Sequence, residues 1–199
     1  MRLSVAEHFS GIDSFILKQL GNSGTDLDIS FVASAVPWDK LWDYLKEVAV
    51  TSGLQDCSEV GTTWVGHFID KKALYQLNEN DLALIGGKDS FLFSTWQSTM
   101  LIGDNRVCAV PWVADTRVIY YWKNELRKAG IDDKTAFSTI ENMESTLDSL
   151  HSIGSPAWGA PTFQVNNTLH QIASWIWGSG GDFIDETGRR TRLLDKETI

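Results

Sequence analysis

The feature that most constrains this chain is the order in which two hydrophobic periods follow one another from its N-terminus. Leu3, Val5 and Ala6 mark a short strand, and a helical period follows over Ile12, Phe15, Ile16 and Leu20. Gly21-Asn22-Ser23-Gly24 ends that helix, because glycine and asparagine suit helix C-termini. Leu27-Asp28-Ile29-Ser30-Phe31-Val32 alternates as a second strand. Pro37 then fixes a turn, and Trp38, Leu41, Trp42, Leu45 and Val48 fall on one helical face, closed by Gly53. Asp56 to Val60 is a third strand, and Gly61-Thr62-Thr63-Trp64 opens a helix over Val65, Phe68, Ile69 and Leu74. Strand and helix alternating three times predict an α/β fold: a parallel sheet with helices on both faces.

The remainder is less regular. Phe91, Phe93, Trp96 and Met100 suggest one helix face, and Arg106 to Val110 reads as a further strand interrupted by Pro111-Trp112. Val118 to Tyr121 resumes extended structure, and a short strand ends at Gly159-Ala160-Pro161. Helices are expected at Trp122–Ala129, from Phe137 through Leu150, and over Leu169, Ile172, Ala173 and Ile176, the last stopped by Gly178-Ser179-Gly180-Gly181.

Composition excludes several classes of function. The 199 residues carry a formal charge of −9, which argues against nucleic acid or an anionic membrane as the main partner. No apolar run approaches the roughly 20 residues of a membrane span, and Met1 to His8 has no signal-peptide pattern. Cys57 and Cys108 sit among apolar neighbours and are expected as buried free thiols. The unusual feature is nine tryptophans, more than a core of this size needs. An indole face matches the CH face of a sugar ring and its N–H supplies a donor, although any one tryptophan could equally be core.

Nucleotide, metal and nucleophile motifs all fail. Gly178-Ser179-Gly180-Gly181-Asp182-Phe183 lacks the third glycine of a dinucleotide fingerprint, and Gly86-Gly87-Lys88 lacks the rest of a P-loop. His8, His67, His151 and His170 are scattered, with no metal-binding spacing. Asn166-Asn167-Thr168 matches the short glycosylation pattern. A glycoside hydrolase would need two facing carboxylates, and Asp115 with Asp182 or Asp185 are the available candidates. A module for a non-sugar solute, such as a peptide or polyamine, is a further alternative. Polar and aromatic residues gather in loops after strands, where open parallel sheets bind ligands.

Four segments carry a resemblance: Glu59-Val60-Gly61-Thr62-Thr63-Trp64-Val65, Val110-Pro111-Trp112 through Asp115-Thr116-Arg117 to Trp122, Leu126 to Asp132, and Trp177-Gly178-Ser179-Gly180-Gly181-Asp182-Phe183. In order and spacing they resemble the family 1 extracellular solute-binding proteins of ABC transporters, the maltose-binding type. The resemblance implies a periplasmic-binding-protein-like (type II) fold of two α/β lobes with ligand in the cleft between them. Residues 1–110 would be lobe one, 111–118 a hinge crossing and 119–199 a partial, truncated lobe two, since members of the family are about twice as long. The implied function is capture of a carbohydrate, an oligosaccharide, without turnover or cofactor, and delivery to the membrane subunits of an ABC importer at the periplasmic or extracellular face. The ligand-binding residues so implied are His8, Trp38, Thr63, Trp64, Trp112, Asp115, Asn166, Asn167 and His170.

Overall fold

The computed structural model describes residues 1–22, 29–51, 53–160 and 165–196. Within them the chain forms two compact units, Met1–Ala114 and Asp115–Ile199.

The first unit is organised on a parallel three-stranded sheet in the order β2-β1-β3, from β1 (Arg2–Ala6), β2 (Val32–Val36) and β3 (Cys57–Ser58). Alternation along β1 divides its side chains between two faces. Val5 and the half-buried Leu3 pack with Ala35 against Ile12 and Ile16 of α1 (Ile12–Asn22). Ala6 and Val36 pack on the other face against Leu41 and Leu45 of α2 (Trp38–Val50) and Phe68 of α3 (Val65–Asp70). Leu41 and Leu45 stand one helical turn apart, which sets both on the sheet side. Each such side chain contributes about 1.5–3 kcal/mol on burial. Both faces are therefore covered, as the alternation of strand and helix predicts.

Several expected elements are displaced. The second strand is Val32–Val36, not residues 27–32. Leu27 and Asp28 lie outside the described residues, as do Ser23 and Gly24, and Ile29 to Phe31 carry no strand pairing. Val-Ala-Ser-Ala-Val is preferred because its small side chains fit beneath α1, in register Leu3↔Ala33 and Val5↔Ala35. Phe15, expected on the core face of α1, is exposed and makes an edge contact with Phe9. β3 is only two residues long. α3 stops at Asp70, before Leu74, in a turn that Lys72 closes at φ 55. There the Ala73 N–H donates to the Phe68 carbonyl and the Lys72 N–H to that of Ile69, the paired bonds of a Schellman ending.

The stretch with Phe91, Phe93, Trp96 and Met100 is not one helix face. After α4 (Glu79–Leu84) and a 3₁₀ turn at Lys88–Ser90, only α5 (Phe93–Gln97) is helical within it, with Trp96 buried, Phe91 stacked on it and Phe93 exposed. Arg106 to Val110 and Val118 to Tyr121 are not strands, because no ladder partner faces them among the described residues. Their backbone is used locally instead: the Cys108 N–H donates to Thr99 and the Val107 carbonyl accepts from Leu77. Nor is there a strand before Gly159, and Pro161 lies outside the described residues. Both cysteines are free, but Cys57 is exposed and Cys108 half-buried, so neither is the deeply buried thiol expected.

The second unit is helical: α6 (Lys123–Lys128), α7 (Ile140–Ser152) and α8 (Val165–Gly178). Leu126, Ala136 and Leu150 form its core. Thr139 caps α7 through the Asn142 N–H. The buried Thr146 hydroxyl donates to the Ala136 carbonyl and ties α7 to the loop after α6. No helix among the described residues is long and apolar enough to cross a membrane.

Candidate functional site

The carboxyl ends of the three parallel strands place the main candidate residues. β1 ends at Ala6 and runs into His8; β2 ends at Val36 and leads through Pro37 to Trp38, the first residue of α2. β3 ends at Ser58 and leads through Glu59 and Gly61 to Trp64, which caps α3. The Glu7 N–H donates to the Val36 carbonyl at 2.8 Å, which ties the first two loops together.

Aromatic rings dominate this end of the unit. Trp38 stacks on Trp64 at 5.3 Å between centroids with planes 23° apart. Trp64 in turn meets Trp42 at 5.3 Å and 58°. Trp42 contacts Phe68 at 5.6 Å and His67 at 5.1 Å, and the Lys46 ammonium lies 5.7 Å from its ring centre. Such ring pairs contribute about 0.5–1.5 kcal/mol each beyond their buried area. Trp38 is 42% exposed.

The loops after β1 and β3 also hold a polar pair, His8 and Glu59. His8 Nε2 lies 2.7 Å from Glu59 Oε1. Glu59 Oε2 accepts from the Ala6 N–H at 2.9 Å, and the Glu59 N–H donates to the Ser4 carbonyl at 2.7 Å. The Glu59 carboxylate thus supplies the next rung of the β1–β3 ladder where β3 itself has stopped. Its side chain is 10% exposed, against 37% for His8. Sequence reasoning missed Glu59 as a site residue, although it opens the Glu59-Val60-Gly61-Thr62-Thr63-Trp64 segment. Glu59→Ala orphans the buried Ala6 N–H and is expected to cost about 1–3 kcal/mol. Glu59→Gln keeps an acceptor there and is expected to cost less than half as much. Guanidinium unfolding of the two variants side by side checks this.

The other nominated residues are more dispersed. Thr63 is exposed in the turn before Trp64. Trp112 is 59% exposed, and no ring contact links it to the Trp38–Trp64 group among the described residues. Asp115 is exposed, with the Arg117 guanidinium 3.9 Å away. Asn166 and Asn167 lie in the first turn of α8, where side chains are outside the described residues. His170 follows on α8, half-buried, and its carbonyl accepts from the Ser174 hydroxyl. The structure therefore brings Trp38 and Trp64 into contact, with Thr63 in the turn before Trp64 and His8 on the loop after the adjacent strand β1.

The carboxylates considered for hydrolysis are engaged elsewhere. Asp182 Oδ1 accepts from the Trp177 indole and the Phe183 N–H. Asp185 organises the turn between Ile184 and Thr191, accepting from the Thr187 hydroxyl and the Arg189 and Arg190 N–H groups. The Thr187 hydroxyl first, and those two N–H groups after it, hold Asp185 below the ordinary carboxylate range. A general acid needs the opposite shift. No group of three metal-ligating side chains occurs among the described residues. A shallow concavity lined by Ile131, Asp132, Thr135, Asn142 and Ser149 of the second unit includes none of the nominated residues.

A parallel sheet covered on both faces, with rings and polar groups collected beyond the carboxyl ends of its strands, is the design of α/β ligand-binding proteins of the type II periplasmic-binding kind. Two solved structures share the fold. A sugar transporter protein from Arthrobacter chlorophenolicus A6, solved with bound laminaribiose, superposes with a TM-score of 0.72 at 15% identity over 100% of this chain and 50% of its own. The sugar-binding protein MalE from Xanthomonas citri superposes with a TM-score of 0.75 at 17% identity over 99% of this chain and 48% of its own. The chain thus spans about half the length of these structures. No curated protein matches it by sequence. Residues 4–198 match the bacterial extracellular solute-binding proteins, and the chain belongs to that family.

Proposed function

We propose that this protein is the carbohydrate-binding component of an ABC importer, taking up an oligosaccharide at the periplasmic or extracellular face without chemical turnover. The observation that carries the reading is the group of indoles beyond the carboxyl ends of β2 and β3, at the end of the sheet where β1 leads into the His8–Glu59 pair. A flat apolar ring next to fixed polar groups suits a pyranose, which offers CH on one face and hydroxyls around its rim. On this reading Trp38, Trp64, Thr63 and His8 bind ligand from one lobe, residues 1–110. Residues 111–118, with Trp112 and Asp115, form the hinge, and residues 119–199 contribute Asn166, Asn167 and His170 from the other. The partners are the sugar and the importer's membrane subunits.

Tryptophan fluorescence titrated with a panel of mono- and oligosaccharides tests the reading. A saturable change specific to particular sugars is expected, with polyamines and short peptides giving none. A response to polyamines or peptides and not to sugars overturns it.

A further inference from the structure

The aromatic group is a ladder with an inner and an outer end. Phe68, 3% exposed, is the innermost ring and is part of the core. Trp42 rests on Phe68, Trp64 on Trp42 and Trp38 on Trp64, with successive centroids 5.6, 5.3 and 5.3 Å apart. The two ends differ in exposure: Trp42 and Trp64 are half-buried between them and Trp38 is 42% exposed.

Trp64 is enclosed on several sides. Trp38 stacks on it and Trp42 tilts against it. Gly61 also lies over it: a Cβ at that position would stand 3.1 Å from Trp64 Cδ2, 3.2 Å from Cε3 and 3.4 Å from Cε2. Cδ2 is bonded to both of those carbons within the fused ring, so a point near all three lies above the ring face and not at its edge. Backbone at Gly61 therefore occupies ring surface that a ligand would need. Trp38, 42% exposed, is the ring of this series left with free surface, and it enters from the first residue of α2.

We propose that Trp38 is the ring that contacts sugar, and that Trp64 is a positioning residue which sets the plane of Trp38 by stacking beneath it. The inference rests on the carbohydrate reading above and deepens it, by giving different roles to two tryptophans that the sequence nominates for the same site. A platform already aligned loses less side-chain freedom when ligand docks. Removing the platform and removing its support must then have different consequences.

The experiment is calorimetric titration of the wild-type chain and its variants with laminaribiose, maltose and cellobiose, alongside circular dichroism of the coupled indole bands. Indoles at this spacing should give an exciton couplet, reduced in Trp38→Ala, which leaves the Trp64–Trp42 pair, and lost in Trp64→Leu, which breaks both pairs. Trp38→Ala is expected to weaken binding by about thirtyfold or more, as a central contact residue does. Trp64→Leu should weaken it only about three- to tenfold, and Trp64→Phe should restore most of that loss. Gly61→Ala removes no ring but presses on Trp64, so it should alter the couplet and weaken binding together. Thermal unfolding confirms that each variant is folded, and Trp38→Phe, which keeps a smaller ring, should bind between Trp38→Ala and wild type. Wild-type-like binding by Trp38→Ala overturns the proposal. So does equal loss in Trp38→Ala and Trp64→Leu without rescue by Trp64→Phe. If the wild-type chain binds none of the three sugars, the carbohydrate reading itself falls and takes this inference with it.

Discussion

Phe68→Ala is expected to destabilise the first unit by about 3–5 kcal/mol, the cost of deleting a large buried aromatic ring. Phe68 is 3% exposed and packs with Ala6, Val36, Leu41 and Leu45, so it joins α3 to the sheet and to α2. Its ring also lies 5.6 Å from Trp42 and 5.3 Å from His67. Neighbours on so many sides cannot collapse into the space, which puts the cost toward the upper part of the range. A unit of this size shifts its midpoint by roughly 4–8 °C per kcal/mol, so a fall well above 10 °C is expected. The Trp42 ring loses its support at the same time, so the indole couplet should weaken in the fraction that remains folded. Phe68→Leu retains most of the volume and should cost under about 1.5 kcal/mol. Guanidinium unfolding followed by far-ultraviolet circular dichroism measures both. A cost below 1 kcal/mol for Phe68→Ala would mean that α3 does not pack on the sheet as described.

How far the chain is legible from its residues depends on whether a feature is local. β1, α1 and α2 are readable because Leu3 and Val5 alternate, and because Ile12 with Ile16 and Leu41 with Leu45 recur one turn apart. β2 is not, because Leu27 to Val32 alternates at least as well as Val32 to Val36. What decides between them is how closely α1 approaches the sheet, which favours the alanines. Residues 106–110 and 118–121 have strand-like composition, but a strand also needs a neighbour, and composition does not report one. The candidate site divides in the same way. His8, Trp38 and Trp64 follow from the rule that ligands gather beyond strand ends. Glu59 is obscured because its task arises from a hydrogen bond to Ala6, 53 residues away in sequence. The order Phe68, Trp42, Trp64, Trp38 is set by the packing of α2 against α3, and no spacing along the chain encodes it.

Leu126→Ala is expected to have a comparable effect on the second unit, for a different reason. α6 has six residues, too few to be stable alone. Leu126 is its one buried residue, at 1% exposure. Leu126 meets Ala136 and Leu150, with Ala129, Ile131, Phe137 and Ala157 around them, so a single side chain fastens α6 to α7. Truncation removes the anchor and leaves a cavity, at a cost of about 2.7–5 kcal/mol. The polar contacts that remain do not replace it. Lys128 and Glu125 form a bridge 2.7 Å long, and Glu125 also accepts from the Ser155 hydroxyl at 3.0 Å. These hydrogen bonds, Lys128 first, hold the Glu125 carboxylate below its ordinary range, but in exposed surroundings such contacts contribute little. Domains have total stabilities of roughly 5–15 kcal/mol, so the loss removes a large share of what holds this unit together. Hydrogen exchange should show it directly: amides of residues 123–131 and the N-terminal half of α7 should lose protection in Leu126→Ala. Leu126→Met, which preserves volume, should leave them protected. Unchanged protection in the alanine variant would mean that α6 is held by something other than Leu126.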